Sequence, residues 1–273
     1  MEIIKLNNGV EIPQLGFGVY MSQAGDECEN AVKWALEAGY RHIDTAKAYD
    51  NEESTGKGIK DSGVPREEIF LTTKLWNEDV RQRNARQACE DSLRRLGTDY
   101  LDLYLIHWPA EGYVEAWQEM EKLQDEGKCR AIGVSNFNWH HLEDLEKAGC
   151  RKPQVNQIES NPQFNNRELA EQCIANDIAV EAWSPLGGST ENPVLGLPEL
   201  VAMAEKYGKS VAQMLIRWHL QRGNIVIPKS VHKERIFANF DVFDFELAED
   251  DMDAIYALEK GLRTGPDPET FDF

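Results

Sequence analysis

The sequence predicts an α/β fold, a closed (β/α)8 barrel of the TIM type, on three features of its 273 residues. Short apolar runs alternate with charged amphipathic stretches at intervals of roughly 25 to 35 residues, the pattern of parallel β/α units. Eight such runs occur, the number that closes a sheet on itself. No Gly-, Pro- or Ser-rich linker separates them, so residues 1–273 read as one domain.

The opening IIKLNNGVEI reads as a hairpin that caps the barrel floor, because Asn8-Gly9 tolerates the positive φ of a tight turn. The first barrel strand is LGFG, followed by the helical ENAVKWALEAG and the strand YRHID. IFLTTKL is next, then one long amphipathic helix over VRQRNARQACEDSLRRLG, then LDLYLIH. A helix beginning near Tyr113 leads to CRAIGVS, and QVNQIE and IAVEAWS follow. VAQMLIRWHLQRG is the helix before the last strand, NIVIPK. GLRTGPDPETFDF reads as a tail, an ordered or semi-ordered extension with no further helix.

Charged residues make up 28% and hydrophobic ones 41%, ample for a substantial core. The net charge of −19 opposes general affinity for nucleic acid or an anionic membrane surface. An anionic ligand would therefore need a local basic pocket. The N-terminus shows no secretory signal, and no run approaches the roughly 20 apolar residues that span a bilayer, so a cytoplasmic protein is expected. Cys28, Cys89, Cys129, Cys150 and Cys173 are odd in number and widely spaced, which indicates buried free thiols rather than disulfides or a zinc site.

Four polar residues stand in apolar or Gly-bounded segments: Asp44, Tyr49, Lys74 and His107. In a β/α barrel the C-terminal strand ends form the active face, and Asp44, Lys74 and His107 each close a strand, with Tyr49 in the loop after Asp44. A phenol of ordinary pKa about 10 donates a proton poorly unless a nearby ammonium stabilises the phenolate. Lys74 supplies the ammonium, Asp44 its counter-ion, and a neutral His107 can hold a substrate oxygen in line with the phenol. Singly, each has a plainer role: helix cap, packing aromatic, surface charge or satisfied core histidine. Their shared rim favours the catalytic reading.

The segments LGFGVY, GYRHIDTAKAYDNE, TTKLW, DLYLIHWP, IGVSNF, VNQIE, AWSPLG and IPKSVHKER, in this order, resemble the aldo-keto reductases over nearly the whole chain. The likeness is strongest to short prokaryotic-type members related to 2,5-diketogluconate and glyoxal/methylglyoxal reductases. It implies NADPH bound across the barrel mouth, hydride transfer to a carbonyl carbon, and Tyr49 as proton donor. It also implies that Ser135, Asn136 and Gln157 hold the nicotinamide carboxamide and that Trp183 stacks on the ring. Ser184, Leu186 and Gly187 would line the pyrophosphate; Lys229, Ser230, Val231, His232, Arg235 and Asn239 would hold the adenosine phosphate. LGFG carries only half of a GxGxxG turn, so a Rossmann grip is not indicated.

Substrate-binding residues implied are Tyr20, Tyr49, Trp76, His107 and Trp108, with Phe271 or Phe273 of the tail adding aromatic surface. Tyr20 stands where many relatives have Trp, and Lys47 and Asp50 flank Tyr49 where small residues are common; they would either tune substrate charge, Lys47 with Tyr20 suiting polar or anionic substrates, or simply face solvent. Ser160-Asn161 replace a frequent Leu-His pair; His232 replaces a second arginine, which would weaken NADPH preference or make it pH-dependent. The short WPAEG after His107 leaves no long loop to wall a large pocket, so short activated carbonyls such as glyoxals, diketones or keto-sugar acids are expected. No metal is expected: His140 and His141 should point apart on a helix as surface residues, and EDDMD lacks the layout of a calcium loop. A monomeric carbonyl reductase is favoured over a sensing module that keeps the fold and NADPH but turns over little.

Overall fold

The computed structural model describes residues 2–188 and 194–271. A hairpin of β1 (Ile3–Lys5) and β2 (Glu11–Pro13) precedes eight strands: β3 (Phe17–Gly18), β4 (His42–Asp44), β5 (Phe70–Leu75), β6 (Leu101–Ile106), β7 (Cys129–Ser135), β8 (Val155–Glu159), β9 (Ala179–Trp183) and β10 (Ile225–Val226). The eight lie in sequence order, each parallel to the next. The circle closes where Leu15 bridges Val226, with Gly16 N–H donating to Val226 O at 2.9 Å and Val226 N–H to Gln14 O at 2.9 Å. The expected barrel is therefore present, although LGFG and NIVIPK contribute only short strands at this seam.

Side chains alternate along each strand, and the inward set changes character from floor to mouth. At the floor, Phe70, Leu103, Ala131, Val155 and Ile225 pack with Leu6 and Ile12 of the hairpin. Two to four residues further on, the same inward positions carry Asp44, Lys74, Gln157 and Glu181, all at most 2% exposed. An apolar plug thus supports a buried polar layer.

The expected hairpin turns tightly through Asn8-Gly9: Gly9 N–H donates to Leu6 O and Leu6 N–H to Val10 O, each at 2.8 Å, and Gly9 takes the positive φ, +89°. Asn7, Asn8 and Gly9 form a three-residue loop, a turn closed by one left-handed glycine. The long helix expected over 80–97 is broken into Asn77–Arg81 and Ala85–Leu96, with Arg83 left-handed at φ 56°. Val80 and Ala85 are both buried, yet five residues on a continuous helix turn them about 140° apart. The break lets both face inward.

Candidate functional site

Strand alternation brings Asp44, Lys74 and His107 to the mouth, and a single helical turn, Lys47–Tyr49, returns the chain so that Tyr49 faces them. Lys74 Nζ donates to Asp44 Oδ1 at 2.7 Å, to Thr45 O at 2.9 Å and to Tyr49 Oη at 3.2 Å. An ammonium has three hydrogens, and each is used. Because Tyr49 accepts from Lys74, its own O–H remains free to donate outward.

The electrostatics suit this division. Burial alone would strip Lys74 of its proton, but Asp44 and Tyr49 outweigh it and raise its pKa above that of an ordinary lysine. Burial pushes the Tyr49 phenol up to about 12, with Lys74 pulling it down and Asp44 pushing it up. Lys74 thus acts in the expected direction, but the resting site keeps the phenol protonated. Burial, then the Lys74 charge, hold His107 well below the usual histidine range, so its ring is neutral. His107 Nδ1 is buried without a partner, which leaves Nε2 as the nitrogen available to a substrate. The ring packs edge-on against Tyr49 at 5.7 Å and Trp76 at 5.2 Å between centroids.

The residues expected around a nicotinamide also meet at this rim. Trp183 Nε1 donates to Asn136 Oδ1 at 2.8 Å, and Asn136 Nδ2 donates to His107 O at 3.0 Å and Ser135 Oγ at 3.1 Å. Ser135 Oγ donates to Gln157 O at 3.0 Å. Asn136 therefore holds the indole and the His107 backbone in place. Gln157 Nε2 donates to Asp44 Oδ2 at 2.9 Å and to Glu181 Oε2 at 3.0 Å. Its carbonyl end is the one left for a ligand.

The tail completes the arrangement. Glu159, at the end of β8, accepts from Thr264 N at 2.5 Å, Thr264 Oγ1 at 2.7 Å and Gly265 N at 3.4 Å, while Ser184 Oγ lies 2.9 Å from Thr264 Oγ1. A Cβ on Gly265 would stand 2.4 Å from Cη2 of Trp183, so only glycine fits against that edge. Leu186 packs on the core beside Gly187, φ +78°. Further round the rim, Lys229, His232 and Arg235 are exposed, and Ser230 and Asn239 are buried. Ser230 Oγ accepts from His232 N at 3.1 Å, and Val231 lies between them. Lys233 is tied to Glu37 at 3.0 Å, whereas Arg235 has no acidic partner among the described residues.

On the substrate side, the Tyr20 ring is 60% exposed and lies 5.0 Å from Tyr49. Trp108 is covered by Phe271, stacked at 4.0 Å, so the tail presents a ring there; Phe273 lies outside the described residues. Lys47 does not supply free charge as expected, because it pairs with the buried carboxylate of Asp79. Asp50 is an exposed left-handed residue at φ 53°. Ser160 and Asn161 are structural: Ser160 Oγ donates to Asn165 O at 2.8 Å, and Asn161 Oδ1 accepts from Gln163 and Phe164.

His140 and His141 also depart from expectation: their rings are 3.9 Å apart, and His141 is buried. The cause is that His141 turns back, its Nδ1 accepting the Asn138 N–H at 3.1 Å. With Glu269 they form a cluster of possible metal ligands. Burial holds His141 neutral, with a pKa lowered to about 4, so the ring carries its proton on Nε2 and offers no free lone pair. The cluster docks the tail instead, through Asn138 and Glu269. Sequence reasoning missed Glu159, Asp79, Thr264, Gly265 and Glu181. A lone carboxylate in IAVEAWS was the available signal for Glu181.

A model of the aldo/keto reductase family matches residues 14–260. The chain belongs to that family. It is an oxidoreductase that reduces carbonyl groups. It is 50% identical to the glyoxal reductase of Bacillus subtilis (strain 168) across 100% of this chain and 98% of that one. It is 47% identical to a methylglyoxal reductase of Escherichia coli (strain K12), covering 98% of each. A Bombyx mori aldo-keto reductase solved in complex with NADP superposes with a TM-score of 0.90 at 42% identity, over 96% of this chain and 94% of that one.

Proposed function

We propose that this aldo-keto reductase uses NADPH to reduce short activated carbonyls, glyoxals, diketones and keto-sugar acids among them, with Tyr49 as the proton donor. The observation that carries the assignment is the Lys74 ammonium: all three of its hydrogens are committed, so the Tyr49 O–H points elsewhere. His107 Nε2–H positions the substrate oxygen beside that phenol. As the phenol gives up its proton, the adjacent ammonium stabilises the phenolate, and Asp44 keeps the ammonium charged.

The residues present fit the dinucleotide. Trp183 is held at both ends of its indole, by Asn136 and by Gly265, which suits a stacking platform. The Gln157 carbonyl suits a carboxamide N–H, and Lys229 and Arg235 suit a 2′-phosphate. When bound, NADPH supplies the hydride. Small substrates are favoured because only residues 108–112 separate His107 from the helix Tyr113–Asp125, and because Phe271 lies over Trp108. The two bacterial relatives are named for glyoxal and methylglyoxal reduction, which supports the same class. With Lys47 neutralised, polarity at the pocket comes from Tyr20 rather than from a cation.

The protein is proposed to act as a cytoplasmic monomer. No described helix is long and apolar enough to cross a membrane, and all five cysteines are free. The deciding experiment is Tyr49→Phe. It should lower kcat for methylglyoxal by about 10²- to 10⁴-fold while the Kd of NADPH, read by fluorescence, stays within about twofold. Retention of more than about a tenth of kcat, with chemistry rate-limiting, would show that Tyr49 is not the donor.

A further inference from the structure

The strand β9 places one carboxyl, Glu181, wholly inside the barrel beneath the reacting groups, and nothing in the mechanism above uses it. Its Oε2 accepts from Gln157 Nε2 at 3.0 Å, and the same nitrogen donates to Asp44 Oδ2 at 2.9 Å. Its Oε1 has no hydrogen-bond partner and faces His42 Nε2 at 3.5 Å. We propose that Glu181 is a positioning residue that acts through Gln157: with Asp44 it turns the Gln157 carbonyl toward the cofactor, and its charge state distinguishes NADP⁺ from NADPH. The proposal rests on the reading of Gln157 as a nicotinamide ligand.

The first half follows from the valence of an amide. Two carboxyl oxygens converge on one end of Gln157, and only the NH₂ end can serve both, having two hydrogens. The reversed amide would aim its oxygen at Asp44, a carboxylate already ion-paired with Lys74. Asp44 and Glu181 together therefore fix the flip.

The second half follows from the charges that face Glu181. Asp44 and His42 come from β4, Lys74 from β5 and the uncharged Gln157 from β8; β10 sets the apolar Ile225 alongside. Burial keeps His42 unprotonated, with a pKa lowered to about 3, so it adds no cation. Asp44 and Lys74 cancel. Burial, reinforced by Asp44 and opposed by Gln157 and Lys74, pushes Glu181 up to about 8. Oε1, which has no hydrogen-bond partner and faces His42, is the oxygen placed to carry the proton. The oxidised nicotinamide ring is cationic and the reduced ring is neutral, so an ionised Glu181 favours the oxidised form. Binding NADP⁺ near pH 8 should displace part of one proton from Glu181 to solvent.

The test compares wild type, Glu181→Gln, Glu181→Leu and Gln157→Ala by quenching of tryptophan fluorescence with NADPH and NADP⁺ from pH 6 to 9.5. In wild type the Kd for NADP⁺ relative to NADPH should fall by roughly three- to tenfold as pH rises through 8. Glu181→Gln mimics the protonated carboxyl and should remove that change while restoring most of the binding lost in Glu181→Leu. Calorimetry of NADP⁺ binding at pH 8 in two buffers of different ionisation enthalpy should show proton release in wild type and none in Glu181→Gln. Persistence of the alkaline change in Glu181→Gln, or wild-type affinity in Glu181→Leu, would overturn the proposal. Wild-type affinity in Gln157→Ala would instead remove the reading of Gln157 on which it stands.

Discussion

Replacing Lys74 by Met should destabilise the fold far more than its volume change explains. Met fills much of the lysine's space, so the cavity contribution is small. The loss is electrostatic: Asp44, 2% exposed, is left with the Gln157 amide and no cation. Breaking a buried pair by removing one partner costs about 3–5 kcal/mol. Asp44→Asn removes the orphaned charge while keeping the acceptor for Gln157, so the double variant Asp44→Asn/Lys74→Met should recover at least about 2 kcal/mol relative to Lys74→Met alone. Urea unfolding at pH 7 without cofactor measures this directly, since bound ligand would add its own stabilisation. Additive single effects, or a Lys74→Met cost under about 1 kcal/mol, would show that the pair is not the buried unit the distances describe.

Arg235→Ala should raise the Kd of NADPH at least about tenfold and that of NADH little, and His232→Arg should tighten NADPH; equal losses for both cofactors would remove Arg235 from the phosphate site. Gly265→Val, whose side chain would collide with Trp183, should weaken NADPH binding and change tryptophan emission, with overall melting little affected; unaltered binding would mean that the tail yields freely. Acid should destabilise the protein steeply through His42, His107 and His219, which burial holds below the usual histidine range. Unfolded histidines take up protons below about pH 6.5 while these three do not, so stability is full above that pH and falls by up to about 4 kcal/mol per unit through pH 6 to 4. Unfolding free energy against pH would reveal a flat profile if these rings were exposed.

What could be read from the sequence was whatever repeats or closes a strand. The eight strands were visible because apolar runs and charged helices differ in period, and Asp44, Lys74 and His107 because a polar residue ending such a run stands out. What escaped depends on distant parts of the chain. Lys47 reads as a free cation until Asp79 folds against it, and Gly265 as a loop residue until Trp183 lies beneath it. His141 reads as a surface residue until it turns to accept its helix's own N-terminal N–H. The helix break at Arg83 was hidden because Val80 and Ala85 both belong to an apolar pattern, and only the curvature of the barrel rules out one straight rod.

The seam where Leu15 meets Val226 has a consequence for how the chain is made. Every other neighbouring pair of strands is consecutive in sequence, joined through one or two helices, and can form soon after its second strand leaves the ribosome. The seam pairs the first strand of the barrel with the last, so the cylinder stays an open, curling sheet until β10 has been made. Until the last turn arrives, β3 keeps an unpaired edge, the kind of edge on which chains stick to one another. The hairpin Ile3–Pro13 precedes the barrel strands and, in the closed barrel, ties the residues before β3 to the floor through Leu6 and Ile12. Closure also brings Gly18 N–H to Pro228 O at 3.2 Å, beside Lys229 on one side and Tyr20 on the other. A dinucleotide reaching from the phosphate-binding side to the catalytic side would clamp this join, so the amides slowed most in hydrogen exchange on cofactor binding should be those of residues 16, 18 and 226.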